Sequence, residues 1–385
     1  MRASSLIKRV IFIGVIVLVF SEIFANIYLS EVMEKSTKPK FRFNSYRVYE
    51  HEPGFREGKH GKDWIVINTN GFRRTKDVSK IKPKNTFRAF LLGGSAAHGI
   101  SSAPPYPLRH IYPDETIDAY LEKMLSSKYP DYNIEIINAA VTGYRVFSHT
   151  QYILSELLNY SPDLIIFFDG ANDHYANNPE CDYYQDFQYQ FWKTRLQNLS
   201  FGGLMDYLIM YLSRYSGLAR GYSAWKLQKD AINNERRISI TKVYENANQL
   251  ISEHKLAAKR QFLRSIEINL LVLKNFDIDV IVCLQPMLVL RNKDLLSRQE
   301  LDFLHKDDRT QTLYPIVRNE VALLANKYEV QFIDMMPVFN SEIYKNKQLF
   351  IDYCHLSPEG SKLAAEALFS KVEESFIKNQ FILRD

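Results

Sequence analysis

The chain has 385 residues, 46% of them hydrophobic and 24% charged, with 15 glycines and 14 prolines. These values exclude disordered, collagenous and low-complexity classes and leave room for one large domain with insertions or two smaller ones. The net charge of +5 is unevenly spread: residues 31–90 carry 15 Lys and Arg against 7 Asp and Glu, residues 1–30 carry +2, and the rest is left at −5. A slightly acidic body is unsuited to nucleic acid, for which affinity comes mainly from neutralising phosphates. Cys181, Cys283 and Cys354 are too few and too scattered for a disulfide scaffold, and no pair has the spacing of a zinc or redox site.

In chain order, Arg2, Lys8 and Arg9 precede an uncharged run from Val10 to Ser21, then Glu22, then a second apolar stretch from Ile23 to Leu29. Val10–Leu29 has the roughly 20 residues a membrane helix needs. Three readings stand: an uncleaved anchor over residues 1–30, a signal peptide with its apolar region at Val10–Phe20, or a buried helix of a soluble protein. The lack of a clean A-x-A site favours the anchor. Lys35, Lys38, Lys40 and Arg42 follow the span, so counting positive charges does not set its orientation. The Lys8–Arg9 pair and the short N-terminal tail favour a cytoplasmic N-terminus, with residues 31–385 outside the cell membrane. Residues 31–85 then read as a basic stalk with a small β element, resting on anionic head groups or simply solvated. Within it, Trp64–Thr69 alternates like a strand and meets Asn70-Gly71, a hairpin-turn dipeptide.

From residue 86 to 378, short apolar runs alternate with amphipathic segments of helical length, which implies a parallel sheet covered by helices. Strands are expected at Phe87–Leu92, Ile134–Asn138, Asp163–Phe168, Asp279–Cys283 and Val330–Ile333. Helices are expected at Thr116–Leu125, Ser148–Asn159, Lys259–Asn275, Leu313–Tyr328 and Pro358–Ile377. The result is an α/β domain, a three-layer α/β/α sandwich with a five-stranded parallel sheet. The alternation lapses at about 176–254, an insertion that opens with the aromatic run Tyr183–Trp192. It is either a lid or substrate wall, or a helical excursion pinned down by its own aromatics.

In sheets of this kind, sites form where strands end at their carboxyl edge. The first strand runs into Gly93-Gly94-Ser95-Ala96-Ala97-His98-Gly99, a tight turn that exposes a hydroxyl. The second leads to Gly143, an unobstructed N–H, and the third to Gly170-Ala171-Asn172-Asp173, an amide at a strand end. Near the C-terminus, Asp352 and His355 lie three apart just before the Ser357-Pro358 helix start. A nucleophilic serine needs a base within reach and a carboxylate to fix the base's tautomer, and these residues supply both. Each block alone is an ordinary turn; four in compatible order are not. His98 and His174 flank these blocks as incidental loop histidines, and Cys354 reads as a packed thiol with no metal-ligand set around it.

Gly93-x-Ser95-x-x-x-Gly99, Gly143, Gly170-x-Asn172-Asp173 and Asp352-x-x-His355 resemble the four sequence blocks of the SGNH (GDSL-like) hydrolase superfamily. The resemblance spans about 86–378 without the insertion. It implies a flavodoxin-like sandwich in which Ser95 is the nucleophile, His355 the base and Asp352 its orienter, with Ser95 N–H, Gly143 N–H and the Asn172 amide as the oxyanion hole. No cofactor or metal is implied. Gly94 departs from the family signature, which has Asp there. The anchor together with Asn70-Gly71-Phe72-Arg73 looks like the front end of bacterial membrane-tethered members. The implied substrate is an O-acyl ester, an acetylated extracytoplasmic glycan above all. Two alternatives stay open: an O-acyltransferase that works through the same acyl-serine, and an idle, anchored glycan-binding protein.

Overall fold

The computed structural model describes residues 2–32, 40–102, 107–174, 262–304 and 308–382, together with a few positions between 205 and 225. Most of the 176–254 insertion, including Tyr183–Trp192, therefore lies outside the described residues, as do Cys181 and residues 33–39 of the basic stretch.

Helix α1 (Arg2–Val32) opens the chain. Its described side chains span 12–27, where Phe12, Leu18, Phe20 and Phe24 are 61–68% exposed. Among the described residues no helix is long and apolar enough to cross a membrane. Two antiparallel hairpins follow: β1 (Phe41–Asn44) with β2 (Val48–His51), and β3 (Arg56–Lys59) with β4 (Lys62–Val66). The strand expected at Trp64–Thr69 is thus paired backwards, across His60-Gly61, and not forwards across Asn70-Gly71. His60 and Gly61 both have positive φ, 53° and 78°, the requirement of the tight hairpin turn. Asn70-Gly71 is still a turn, held by the Asn68 side-chain oxygen accepting from the N–H groups of Asn70 (3.1 Å) and Phe72 (2.9 Å).

The main sheet contains β5 (Thr86–Gly93), β6 (Asn133–Asn138), β7 (Leu164–Asp169), β8 (Asp279–Leu284) and β9 (Gln331–Asp334), all parallel, in the order β6-β5-β7-β8-β9. The expected strands coincide with these to within one residue at each end. Strand alternation splits the side chains between two cores. Phe87, Ala89 and Leu91 of β5 face α3 (Ile117–Lys128) and α10 (Pro358–Ile382), whereas Phe90 and Leu92 face α4 (Val146–Ser155), α6 (Arg264–Lys274) and α8 (Asp308–Lys327). The helix expected at Ser148–Asn159 is broken at Glu156, whose φ of −143° ends α4, and a 3-10 turn, Leu157–Tyr160, completes the crossover.

The front hairpins belong to this body. Tyr49, Phe72 and Val78 are buried in the second core, and Phe55, Trp64, Ile65 and Ile67 form a core of their own. Part of the basic stretch is consumed internally. Arg47 is ion-paired to Glu50 and, at 2.6 Å, to Glu156, with its guanidinium 3.7 Å above the Tyr152 ring. Arg88 is fully buried and donates to Glu135 and to the Tyr160 carbonyl, both at 2.6 Å. Buried guanidinium groups of this kind are inaccessible to an anionic surface.

Candidate active site

The order β6-β5-β7 places β5 between its neighbours, so the loops that leave the carboxyl ends of β6 and β7 flank the one that leaves β5. After Gly93 the chain turns at Gly94, and Ser95 starts the one-turn helix α2 (Ser95–His98). Ala96, Ala97 and His98 are buried beneath it, which leaves Ser95 the half-buried residue of that turn. His98 faces away from any substrate. Its ring is tilted by 31° against that of His51, with centroids 4.6 Å apart, and burial pushes its ionisation well below the usual histidine range.

The fourth block is a short loop closed by a bridge between Phe350 and Leu356. Asp352 folds back over its own turn, its Oδ1 accepting from the N–H groups of Cys354 (2.9 Å) and His355 (2.8 Å). That arrangement fixes Oδ2 at 2.6 Å from His355 Nδ1, and His355 Nε2 in turn sits 2.7 Å from Ser95 Oγ. Burial opposes the charge on Asp352, but the hydrogen bonds from the His355 ring and the two backbone N–H groups outweigh it and hold the carboxyl below its ordinary range. Burial also opposes an imidazolium at His355. The Cys354 sulfur and the Asp352 carboxylate reverse that and push it up, to about 10.

A base must be neutral to accept a proton, so a raised value moves the acid limb of the pH–rate profile upward. Cys354→Ala removes the first of the raising influences. The kcat/KM acid limb is expected to move toward lower pH. A pH–rate profile of wild type and variant checks this, and an unmoved limb would refute it.

The Asn172 side chain, on the short helix α5 (Ala171–His174), donates through Nδ2 to the Tyr144 carbonyl at 2.8 Å. This bond ties the loop after β7 to the loop after β6, which carries the partly exposed Gly143. An amide has two N–H donors, so one is left for a substrate oxygen. Beneath this loop His149 Nε2 lies 3.0 Å from Asp169 Oδ1, both side chains buried. The sequence blocks include neither residue: Asp169 ends the strand just before Gly170, and His149 lies in α4 with no motif to mark it.

Two more residues emerge only in three dimensions. A Cβ built on Gly94 would overlap Asn172 Nδ2 and lie 3.2 Å from the Tyr144 oxygen. A side chain at this position therefore cannot coexist with Asn172 where it stands. Gly94→Asp is expected to lower kcat/KM by about ten- to a hundredfold, since small displacements of groups at a reacting centre cost that much. Retention of wild-type turnover would show that the amide has another place to go. Arg73, 2% exposed, donates to the carbonyls of Gly99 (2.9 Å), Ile111 (3.1 Å) and Trp64 (3.1 Å). It thereby pins the end of the nucleophile turn to the front hairpins. The sequence showed it only as part of Asn70–Arg73.

Ligand atoms of Asp352, Cys354 and His355 lie within 4.8 Å of one another. A cation there would have to break the 2.6 Å bond between His355 and Asp352, so the cluster fits the triad better than a metal.

No family model and no curated protein matches the chain. Among solved structures it is similar to the acetyl xylan esterase of Geobacillus stearothermophilus, at 16% identity and a TM-score of 0.41, covering 76% of this chain and 96% of that one. It is also similar to the acetyl xylan esterase AlAXEase, at 12% identity and a TM-score of 0.41, over 74% of this chain and 100% of that one. A GDSL-like lipase of Parabacteroides merdae ATCC 43184 has 12% identity and a TM-score of 0.41, over 75% and 98%. Likeness at this level carries no activity from those proteins to this one.

Proposed function

We propose that the protein is a serine ester hydrolase of the SGNH type, tethered to the cell membrane by α1 and acting outside the cytoplasm on a short acyl ester, acetyl above all, of a glycan. The observation that carries the hydrolase reading is the unbroken run of hydrogen bonds from Ser95 through His355 to Asp352 beside the Asn172 amide. The acyl and glycan parts rest on the sequence resemblance and on the anchor reading of Val10–Leu29.

In this mechanism Ser95 Oγ attacks the ester carbonyl while His355 Nε2 takes its proton. Asp352 holds the imidazole with Nδ1 protonated and stabilises the imidazolium. The oxyanion is met by the N–H groups of Ser95 and Gly143 and by the Asn172 amide. His355 returns the proton to the leaving alcohol, and the acyl group stays on Ser95. Water, deprotonated by the same imidazole, then releases the acid and restores the hydroxyl.

The test is the full-length protein in detergent, assayed on model esters from acetyl to dodecanoyl, with and without a glycan acceptor. Preference for acetyl or butyryl supports the reading. A higher kcat/KM on dodecanoyl esters replaces it with a lipase-like role, and acyl transfer exceeding hydrolysis replaces it with a transferase. For the location, a reporter active only in the cytoplasm, fused after residue 385, is expected to give no signal; a strong signal reverses the topology.

A further inference from the structure

Glu22 is the only charged residue between Val10 and Leu29. A carboxylate in an apolar run is expensive unless it is paired, and in membrane helices such groups face protein partners. Its partners are 194 to 196 residues away in sequence. Ser216 Oγ donates to Glu22 Oε2 at 2.9 Å, and the backbone N–H groups of Gly217 and Leu218 donate to its two oxygens at 2.5 and 3.3 Å. Asn26 Nδ2 adds a fourth bond from one turn along α1, at 2.7 Å.

The backbones are close enough that only a residue without a side chain fits. A Cβ on Gly217 would lie 2.7 Å from Asn26 N and 2.9 Å from Ala25 C. Small residues at such crossings are what lets helices pack in lipid, where apolar burial gives no drive to associate. Around the junction the surface is apolar on both partners. On α1, Phe20, Ile23, Phe24 and Ile27 are 49–68% exposed, and on the insertion Leu208, Leu212, Leu218, Tyr222 and Trp225 are 42–54% exposed. The Tyr222 and Trp225 rings lie 5.7 Å apart. Paired aromatics of this amphipathic type concentrate at the head-group level of membranes. Glu22 is seven residues before Leu29, or about 10 Å at 1.5 Å per residue, so its partners sit at the depth of one leaflet.

We propose that the described residues between Leu208 and Trp225 enter the outer leaflet alongside α1, joined to it by Glu22, so that the lipid bilayer covers the apolar surface they share with it. The occupant is lipid because that surface is continuous with the apolar run of α1. This inference rests on the anchor reading above. It turns the anchor from a loose tether into a fixed joint and gives the insertion a place independent of the catalytic site.

The test uses the full chain reconstituted in phosphatidylcholine vesicles, with and without brominated acyl chains, which quench tryptophan on contact. The chain has three tryptophans, so the Trp225 signal is taken as wild type minus Trp225→Phe. Loss of most of that signal in brominated vesicles is expected, and an equal signal in both vesicle types would overturn the proposal. Gly217→Leu, which cannot sit against Ala25 and Asn26, is expected to restore the signal; undiminished quenching would refute the joint. Alkaline carbonate separates the two readings. A chain that washes off the membrane defeats the anchor reading, whereas one that stays while Trp225 remains unquenched defeats only the present inference.

Discussion

Ser95→Ala is expected to lower kcat/KM on an acetyl model ester by roughly 10⁴- to 10⁶-fold, the range for removing the nucleophile from a serine–histidine–aspartate set. The loss should fall on chemistry alone. Ser95 is half-buried, and the bond its Oγ makes to His355 supports no part of either core. Asp352 remains bonded to His355 and to its own turn without it. Thermal unfolding of the variant should therefore match wild type. Turnover near wild type with an unchanged melting curve would remove Ser95 from the mechanism and leave the His355–Asp352 pair without a nucleophile.

Asn172→Ala is expected to reduce kcat by roughly a hundred- to a thousandfold, the cost of one oxyanion donor. KM should change little, because the donor matters most when charge develops on the oxygen. The variant also cuts the Nδ2 bond to the Tyr144 carbonyl, so it loosens the link between the loops after β6 and β7. Asn172→Asp removes both Nδ2 donors at constant size and places a carboxylate where negative charge would develop, so it is expected to lose at least as much kcat as Asn172→Ala. A variant that loses KM but keeps kcat would assign Asn172 to substrate binding and leave the oxyanion to the backbone.

The five sheet strands and the Ser95, His355 and Asp352 side chains that hydrogen-bond in a row were readable in the sequence, because a buried strand and the loop after it are both local patterns. A buried parallel strand is an apolar run, and the loop that follows it is where a polar motif shows. The misplaced hairpin has a different origin. Asn70-Gly71 and His60-Gly61 both suit a tight turn, and what chose between them was which upstream segment could pair with Lys62–Val66, a matter of register that no short window contains. His149 was missed for the same reason, and Gly94 and Arg73, though named in the sequence, had no contact assigned to them. Their significance lies in what approaches them from 10 to 80 residues away: the Asn172 amide, the Asp169 carboxylate, and the carbonyls of Gly99 and Ile111. Composition misled over the basic stretch, since a count of Lys and Arg does not distinguish the enclosed Arg47, Arg73 and Arg88 from a surface charge.

The hydrogen bond between Ser95 and His355 spans 260 residues of chain, and this sets a schedule for the newborn protein. At about 5–20 residues per second, Ser95 leaves the ribosome on the order of tens of seconds before His355. During that interval β5, β6 and β7 can pair, yet the serine has no partner to take its proton, and the last loop to be made is the one that brings Asp352 and His355. The Ser95–His355 contact is therefore a late event, formed when α10 closes over α3 and the loop preceding it docks at the sheet edge.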